Sequence, residues 1–373
     1  MTPLERHLSD LIENQGPLSV ATFMSIVLGH PTLGYYSSQR PFGQEGDFTT
    51  APEISQIFGE LLGLWCVQTW LDMGQPKSFD LIELGPGRGV LMADALRAIQ
   101  KVAPSFIDSA NVRLVEISPS LRDEQRSRLP NNVTWHDRFS QIDPAPSIVI
   151  GNEFFDALPI HQYAKLDRGW GERLIGLTGD AMDRFEFLVT PPLGESTPEV
   201  AGPAQIGDIF ETSPTGIAVM TEIADRLVAK GGAALFVDYG YGAPALGDTL
   251  QAVKNHQYHS VLSDIGTADV TAHVNFEALM SAATSAGAAA WGTVDQGVFL
   301  GRLGIHQRAQ ALVHGKDDKT KQDVMSGVDR LTGDAKMGRL FKVISISGTA
   351  NLHPAGFEKA DFYGGDHQSV DTD

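Results

Sequence analysis

A single cysteine, Cys66, occurs in 373 residues. That excludes an intrachain disulfide framework and any zinc ribbon or iron–sulfur site built from several thiolates. Cys66 lies in the apolar stretch Leu61 to Val67 and reads as a small buried side chain. Positive charge is also scarce. The 28 Lys and Arg stand against 46 Asp and Glu, a formal net charge of −18. Phosphate binding needs a positive field, so a nucleic-acid partner is excluded; a basic polypeptide segment or a cationic small molecule is the better match. No apolar run approaches the about 18 residues that mark a membrane span. Met1 to Gly16 carries Glu5, Asp10 and Glu13 and has no apolar core, unlike a secretory signal or a transit peptide; a cytoplasmic location is therefore expected. No internal repeat is present. Apolar residues make up 42% and charged residues 20%, which is globular rather than disordered composition.

Against these absences stands one rich segment, Phe79-Asp80-Leu81-Ile82-Glu83-Leu84-Gly85-Pro86-Gly87-Arg88-Gly89, followed by a helical run from Val90 to Val102. An apolar strand, a glycine loop and a helix start in that order mark the place where an open α/β sheet binds a nucleoside ligand. The spacing is G-x-G-x-G rather than the dinucleotide G-x-G-x-x-G, and Glu83 precedes the first glycine by two residues. A carboxylate there repels a pyrophosphate and suits a cation. S-adenosylmethionine carries a sulfonium and an ammonium and no phosphate. Gly85, Gly87, Gly89 and Glu83 are accordingly assigned to its binding. Val112 to Ile117 reads as the next buried strand, ending at Glu116, with Ser118 and Pro119 opening a helix as N-cap and first turn. Glu116 is placed to accept both ribose hydroxyls, the plainer alternative being a solvated strand end.

The strongest further constellation is Ile148 to Pro159. A buried strand ends in Asn152-Glu153, then come Phe154, Phe155, Asp156 and a proline. Strand ends of this kind face the ligand crevice. Two carboxylates beside aromatics can grip a guanidinium or ammonium, which makes Glu153 and Asp156 the catalytic candidates. Acids favoured by a helix dipole are the competing explanation. In Gly46 to Ser55, Thr50 and Glu53 fit a capping box, which leaves Asp47 and Thr49 unexplained. His256, His259 and His273 with Asp264 match no metal-ligand spacing, so no metal is expected.

Around these motifs the pattern predicts helices over 4–13, 17–28 (with Ser19 as N-cap) and 52–71. Gly34-Tyr35-Tyr36 and 43–47 read as loops. Sheet strands are predicted at 80–85, 112–117, 132–136, 147–152 and 232–238, with 298–300 and 341–347 as a last antiparallel pair. A hairpin at 161–165 and 172–178, a third strand at 185–189 and a loop over 191–203 form an inserted β-rich block. The tail from Leu352 is polar and acidic and is expected to fray.

Taken together, Gly34 to Tyr36, Gly46 to Ser55, Glu83 to Gly89, Asn152 to Pro159 and Ala268 to His273 resemble the MidA-like family of class I methyltransferases, which includes a mitochondrial complex I assembly-factor methyltransferase. The Thr-Thr-Ala-Pro-Glu-Ile-Ser and Asn-Glu-Phe-Phe-Asp-Ala-Leu-Pro segments are the specific ones. The resemblance implies an α/β fold with a Rossmann-like seven-strand class I methyltransferase sheet. A helical N-terminal segment (1–78) would pack on a methyltransferase domain (79–350, insertion about 160–210), followed by a polar tail (351–373). It implies S-adenosylmethionine as donor and protein arginine as acceptor, in eukaryotic members a complex I subunit; lacking an evident presequence, the chain looks like a bacterial member. It places Asn152 with the cofactor residues and Asp47, Thr49, Thr50, Glu53 and His273 with the substrate. A homodimer is left open. The competing readings are a small-molecule methyltransferase, a cofactor-binding assembly factor with little turnover and, least favoured, an NAD enzyme.

Overall fold

The computed structural model describes residues 1–38, 49–179, 184–194 and 203–364. Seven strands build the central sheet: β1 (Phe79–Leu84), β2 (Ala110–Val115), β3 (Thr134–His136), β4 (Ser147–Asn152), β5 (Gly232–Tyr241), β6 (Ala289–Asp295) and β7 (Phe341–Ser347). Their order is β6-β7-β5-β4-β1-β2-β3, with Val274–Asn275 adding a short parallel pairing to β5. The run β5-β4-β1-β2-β3 is parallel, and β7 is antiparallel to both of its neighbours. Every residue of β1 and of β4 is buried, which is why these strands read as unbroken apolar runs rather than alternating ones. Glu83 is carried into the interior with them.

Helices cover both faces. On one, Gln56–Asp72 packs on Val90–Val102 so closely that a Cβ on Gly63 would lie 2.8 Å from the Ala95 Cα; only glycine permits that crossing. On the other, Pro214–Lys230 and Phe276–Ser285 bury Met220, Ile223, Leu227, Phe276 and Met280 against Val149, Phe236 and Ile344. A third apolar cluster joins the N-terminal helices Pro3–Gln15 and Val20–Gly29 to the inserted strands, through Leu4, Leu8, Phe23, Met24 and Ile175. The insertion is His161–Lys165, Trp170–Thr178 and Arg184–Val189, joined by Ile209–Thr212 and by Leu18–Ser19 from the N-terminus. Ser19 caps the second helix as predicted, its hydroxyl accepting from the Thr22 amide at 3.1 Å.

Four expectations are corrected. The predicted helix over 52–71 is two, Ala51–Ile54 and Gln56–Asp72, because Ser55 is extended and its hydroxyl caps the second. Tyr35–Ser38 is a short helix rather than loop. Residues 298–300 belong to the helix Gln296–Arg302; the strand beside β7 is β6, which starts nine residues earlier and contains Gly292 at a bulge that breaks its apolar run. The tail does not fray from Leu352: Leu352 and Phe357 are buried, and Phe362 bridges to Trp291 with ring centroids 4.8 Å apart. No described helix is long and apolar enough to cross a membrane.

Candidate active site

The parallel strand order reverses between β1 and β4, and the crevice beyond their carboxyl ends is where such a sheet binds ligands. The loop after β1 is held by glycines in left-handed conformations: φ is 60° at Gly85, 51° at Gly87 and 78° at Gly89. A Cβ at Gly85 would come within 3.1 Å of the Phe154 ring. Gln125, fully buried, pins the loop from below. Its Nε2 donates to the Gly87 carbonyl at 2.6 Å and to Glu116 Oε2 at 3.4 Å, while its Oε1 accepts from Trp135 Nε1 at 2.7 Å. Sequence reasoning missed this residue; it sits mid-helix in a run of polar residues that gives no sign of burial.

Glu116 follows β2 and is 8% exposed. Its Oε1 accepts from the Ser118 amide at 2.8 Å. Burial pushes its carboxyl up to about 7 despite that bond and the one from Gln125. Glu116, Gly85, Gly87, Ile117 and Phe139 line a cavity of about 460 Å³, to which Tyr36 and Glu153 also contribute. The tyrosine belongs to the Gly34-Tyr35-Tyr36 motif but was not assigned to the site from sequence. On the other side of the loop is a cleft of about 40 Å³ lined by Thr50, Glu53, Glu83, Gly85, Gly87, Asn152 and Glu153. Glu83 is 2% exposed, and burial together with the neighbouring Glu116 charge raises its carboxyl to about 8. Its Oε2 and the Asn152 Oδ1 are buried and have no hydrogen-bond partner.

Glu153 lines both spaces. It is the residue after β4 and sits at φ 51°, a backbone conformation that costs a non-glycine residue energy and concentrates at functional sites. Its Oε1 accepts from the Asn152 side chain at 3.0 Å and the Ala51 amide at 3.3 Å. Burial, and then the nearby Asp156, raise its carboxyl to about 7. Asp156 is 6% exposed and raised by burial to about 6. Behind both stands Asp238 of β5, three residues before the strand ends and fully buried. Its Oδ2 accepts from three consecutive amides, Phe154 at 3.1 Å, Phe155 at 2.9 Å and Asp156 at 3.2 Å, and its Oδ1 from the Tyr239 amide at 2.9 Å. One carboxylate thus fixes the loop that presents Glu153. Asp238 was missed because the loop amides it holds are 82 to 84 residues away, and a lone acid in an apolar strand carries no local motif.

The residues assigned to substrate fall in several places. Thr50 and Glu53 line the small cleft, but they form no capping box: the Thr50 hydroxyl makes no cap bond, and Glu53 pairs with Arg88 at 3.6 Å instead. Thr49 is half-buried in the coil before them, and Asp47 lies outside the described residues. His273 is not with Glu153. It lines a separate cavity, packs edge-on against Tyr239 at 5.5 Å, and burial lowers its pKa. Among the other histidines, His259 Nε2 lies 3.5 Å from Asp264. Among the described residues no group of three or more His, Cys, Asp or Glu could hold a metal ion.

The mostly parallel sheet, the left-handed glycine loop and the acids near the ends of the first two strands define a class I methyltransferase-type nucleoside site. Comparison with known proteins carries this further. The family model for S-adenosyl-L-methionine-dependent methyltransferases matches residues 61–294. The Xenopus laevis protein arginine methyltransferase NDUFAF7, mitochondrial, is 36% identical over 369 residues, covering 92% of this chain and 84% of that one. The Mus musculus NDUFAF7 is 34% identical and covers 96% and 87%. A Burkholderia thailandensis methyltransferase-type protein solved with S-adenosyl-homocysteine has a TM-score of 0.83 at 29% identity, over 96% of both chains. The chain belongs to this family and is an S-adenosylmethionine-dependent methyltransferase. These NDUFAF7 relatives and the Homo sapiens NDUFAF7 are mitochondrial by name, which overturns the cytoplasmic location expected from the sequence.

The residues present fit the cofactor. A buried carboxylate with an unpartnered oxygen is costly unless a positive group meets it, and Glu83 Oε2 offers that place to the methionyl ammonium. Asn152 Oδ1 offers a further acceptor beside it. Glu116, on the wall of the larger cavity, has its Oε2 engaged only by the long 3.4 Å bond from Gln125, and that oxygen would accept from ribose hydroxyls.

Proposed function

We propose that the chain methylates arginine side chains of a polypeptide, and that the acceptor guanidinium is held by Glu153 with help from Asp156. The observation that carries this reading is the placement of Glu153: a strained, half-buried carboxylate on the wall shared by the two cofactor spaces, braced by Asp238. The arginine acceptor in the names of the relatives supports it. The family resemblance points to a subunit of respiratory complex I as the polypeptide.

When bound, S-adenosylmethionine supplies an electrophilic methyl on a sulfonium. The protein's own task is positioning and charge placement. A guanidinium has a pKa above about 12 and its lone pairs are delocalised, so it is a poor nucleophile until it is oriented. Glu153 accepts N–H bonds from it, fixes its plane and draws positive charge away from the reacting nitrogen. As the new N–C bond forms, one proton must leave that nitrogen, and Glu153 or Asp156 takes it. Carboxyls raised to about 7 and about 6 are poised for this near neutral pH.

The experiment is methyl-labelled S-adenosylmethionine with an extract containing complex I, followed by acid hydrolysis of the labelled protein. Label recovered as methylarginine supports the proposal. Label confined to small molecules, or recovered as another methylated amino acid, defeats it.

A further inference from the structure

A second cavity of about 450 Å³ shares no lining residue with the two spaces assigned to the cofactor. It lies on the opposite side of the loop after β4: Phe154 lines the cofactor cavity and Phe155 lines this one. The Ala272 amide, on its wall, donates to the Asp156 carbonyl at 3.0 Å, so the wall is tied to the loop that presents Glu153. His273, also on the wall, packs against Tyr239 beside Asp238. Three aromatic rings (Phe155, Phe210 and Tyr241) and two carboxylates (Glu211 and Glu277) line the space, and among the described residues no lysine or arginine does. Glu211 is 4% exposed and is held by Gln162 Nε2 at 2.7 Å, by the Thr249 amide at 2.9 Å and by the Thr249 hydroxyl. Those donors fix its position, and among the described residues no lysine or arginine forms an ion pair with it. Aromatic faces with carboxylates and no basic residue are the surroundings that recognise a flat cation.

We propose that this cavity is a second subsite for the acceptor polypeptide, taking the guanidinium of an arginine close in sequence to the one methylated. The inference rests on the reading that the acceptor is a polypeptide arginine. A chain lying across the loop puts one arginine at Glu153 and a neighbouring one between the aromatic rings. Arginine-rich acceptors are then selected over isolated arginines by binding, before any chemistry occurs.

Binding of fluorescent glycine–serine peptides to the protein saturated with S-adenosyl-homocysteine tests this without turnover. The peptides carry one arginine, or two at a series of spacings. Two variants accompany the wild type: Ile217→Trp, which fills the cavity from its partly exposed rim, and Glu277→Gln, which removes one charge. The best two-arginine peptide should bind at least tenfold tighter than the one-arginine peptide. Ile217→Trp should abolish that advantage and Glu277→Gln should reduce it severalfold, with one-arginine binding and S-adenosyl-homocysteine affinity unchanged in both. No advantage for two arginines in the wild type overturns the subsite, as does an advantage that persists in both folded variants. Should the advantage behave as stated while methylarginine never forms, the catalytic reading fails and the subsite stands.

Discussion

Replacing Glu83 with glutamine should push stability and cofactor affinity in opposite directions. Glu83 is buried, one of its oxygens has no partner, and its carboxyl is raised from 4.5 to about 8 by burial and by Glu116. A carboxyl whose pKa is higher folded than unfolded favours folding while protonated. Its contribution is therefore lost as pH rises from about 4.5 through about 8. That displacement corresponds to roughly 5 kcal/mol at most above pH 8, of which relaxation leaves about 1–3 kcal/mol to be regained when the charge is removed. Glu83→Gln without cofactor should thus melt several degrees higher than wild type at pH 8, and the gap should close toward pH 5. With cofactor the sign reverses. Exchanging a charge-assisted bond to the ammonium for a neutral one loses about 1–2 kcal/mol, or roughly 5–30-fold in affinity. Thermal melts from pH 5 to 8.5, with calorimetric titration of S-adenosyl-homocysteine, read both. A variant that binds as tightly as wild type, or that melts lower without cofactor at pH 8, refutes the assignment of Glu83 to the ammonium.

Three further outcomes follow from the same geometry. Glu116→Ala should weaken S-adenosyl-homocysteine binding by about tenfold or more, since charge-assisted bonds are worth about 1.5–3 kcal/mol each; a change under about twofold by calorimetry would return Glu116 to a solvated strand end. Gly87→Val should remove binding while circular dichroism shows a folded protein, because φ at Gly87 is 51° and its carbonyl is held by Gln125; undiminished binding would move the cofactor away from this loop. Asp238→Asn turns an amide nitrogen toward backbone N–H donors. The turnover number should fall by about tenfold or more at nearly constant cofactor affinity, and wild-type turnover would show that the loop does not need this brace.

Much of this architecture could be read from the chain because its central strands are buried on both faces and end at glycines or acids. Phe79–Leu84 and Ser147–Asn152 show such a run and lead to Gly85 and Glu153; Ala110–Val115 is buried at alternate positions and leads to Glu116. Where punctuation was missing, the reading failed. Gly292 and Thr293 interrupt the apolar run of β6, so the strand was placed in the following helix. Leu352 and Phe357 are isolated apolar residues in a polar tail, and only the core they enter shows their role. The supports of the site were the least legible. Gln125 and Asp238 act on backbone groups 38 and 82 to 84 residues away, and nothing local marks a side chain that works at that distance. His273 was drawn toward the site by the Ala268 to His273 motif, of which Ala272 and His273 line a different space.

The central claim is that Glu153 orients the acceptor and takes its proton. Single-turnover transfer of labelled methyl to an arginine-containing polypeptide, compared between wild type and Glu153→Gln, tests it most directly. The glutamine keeps the shape and removes the charge. Transfer should fall by about 100-fold or more, S-adenosyl-homocysteine affinity should stay within about twofold, and the wild-type rate should drop as pH falls below about 7, where Glu153 protonates. A variant that transfers methyl at the wild-type rate contradicts the claim, and one that loses cofactor binding moves Glu153 to the donor side of the site.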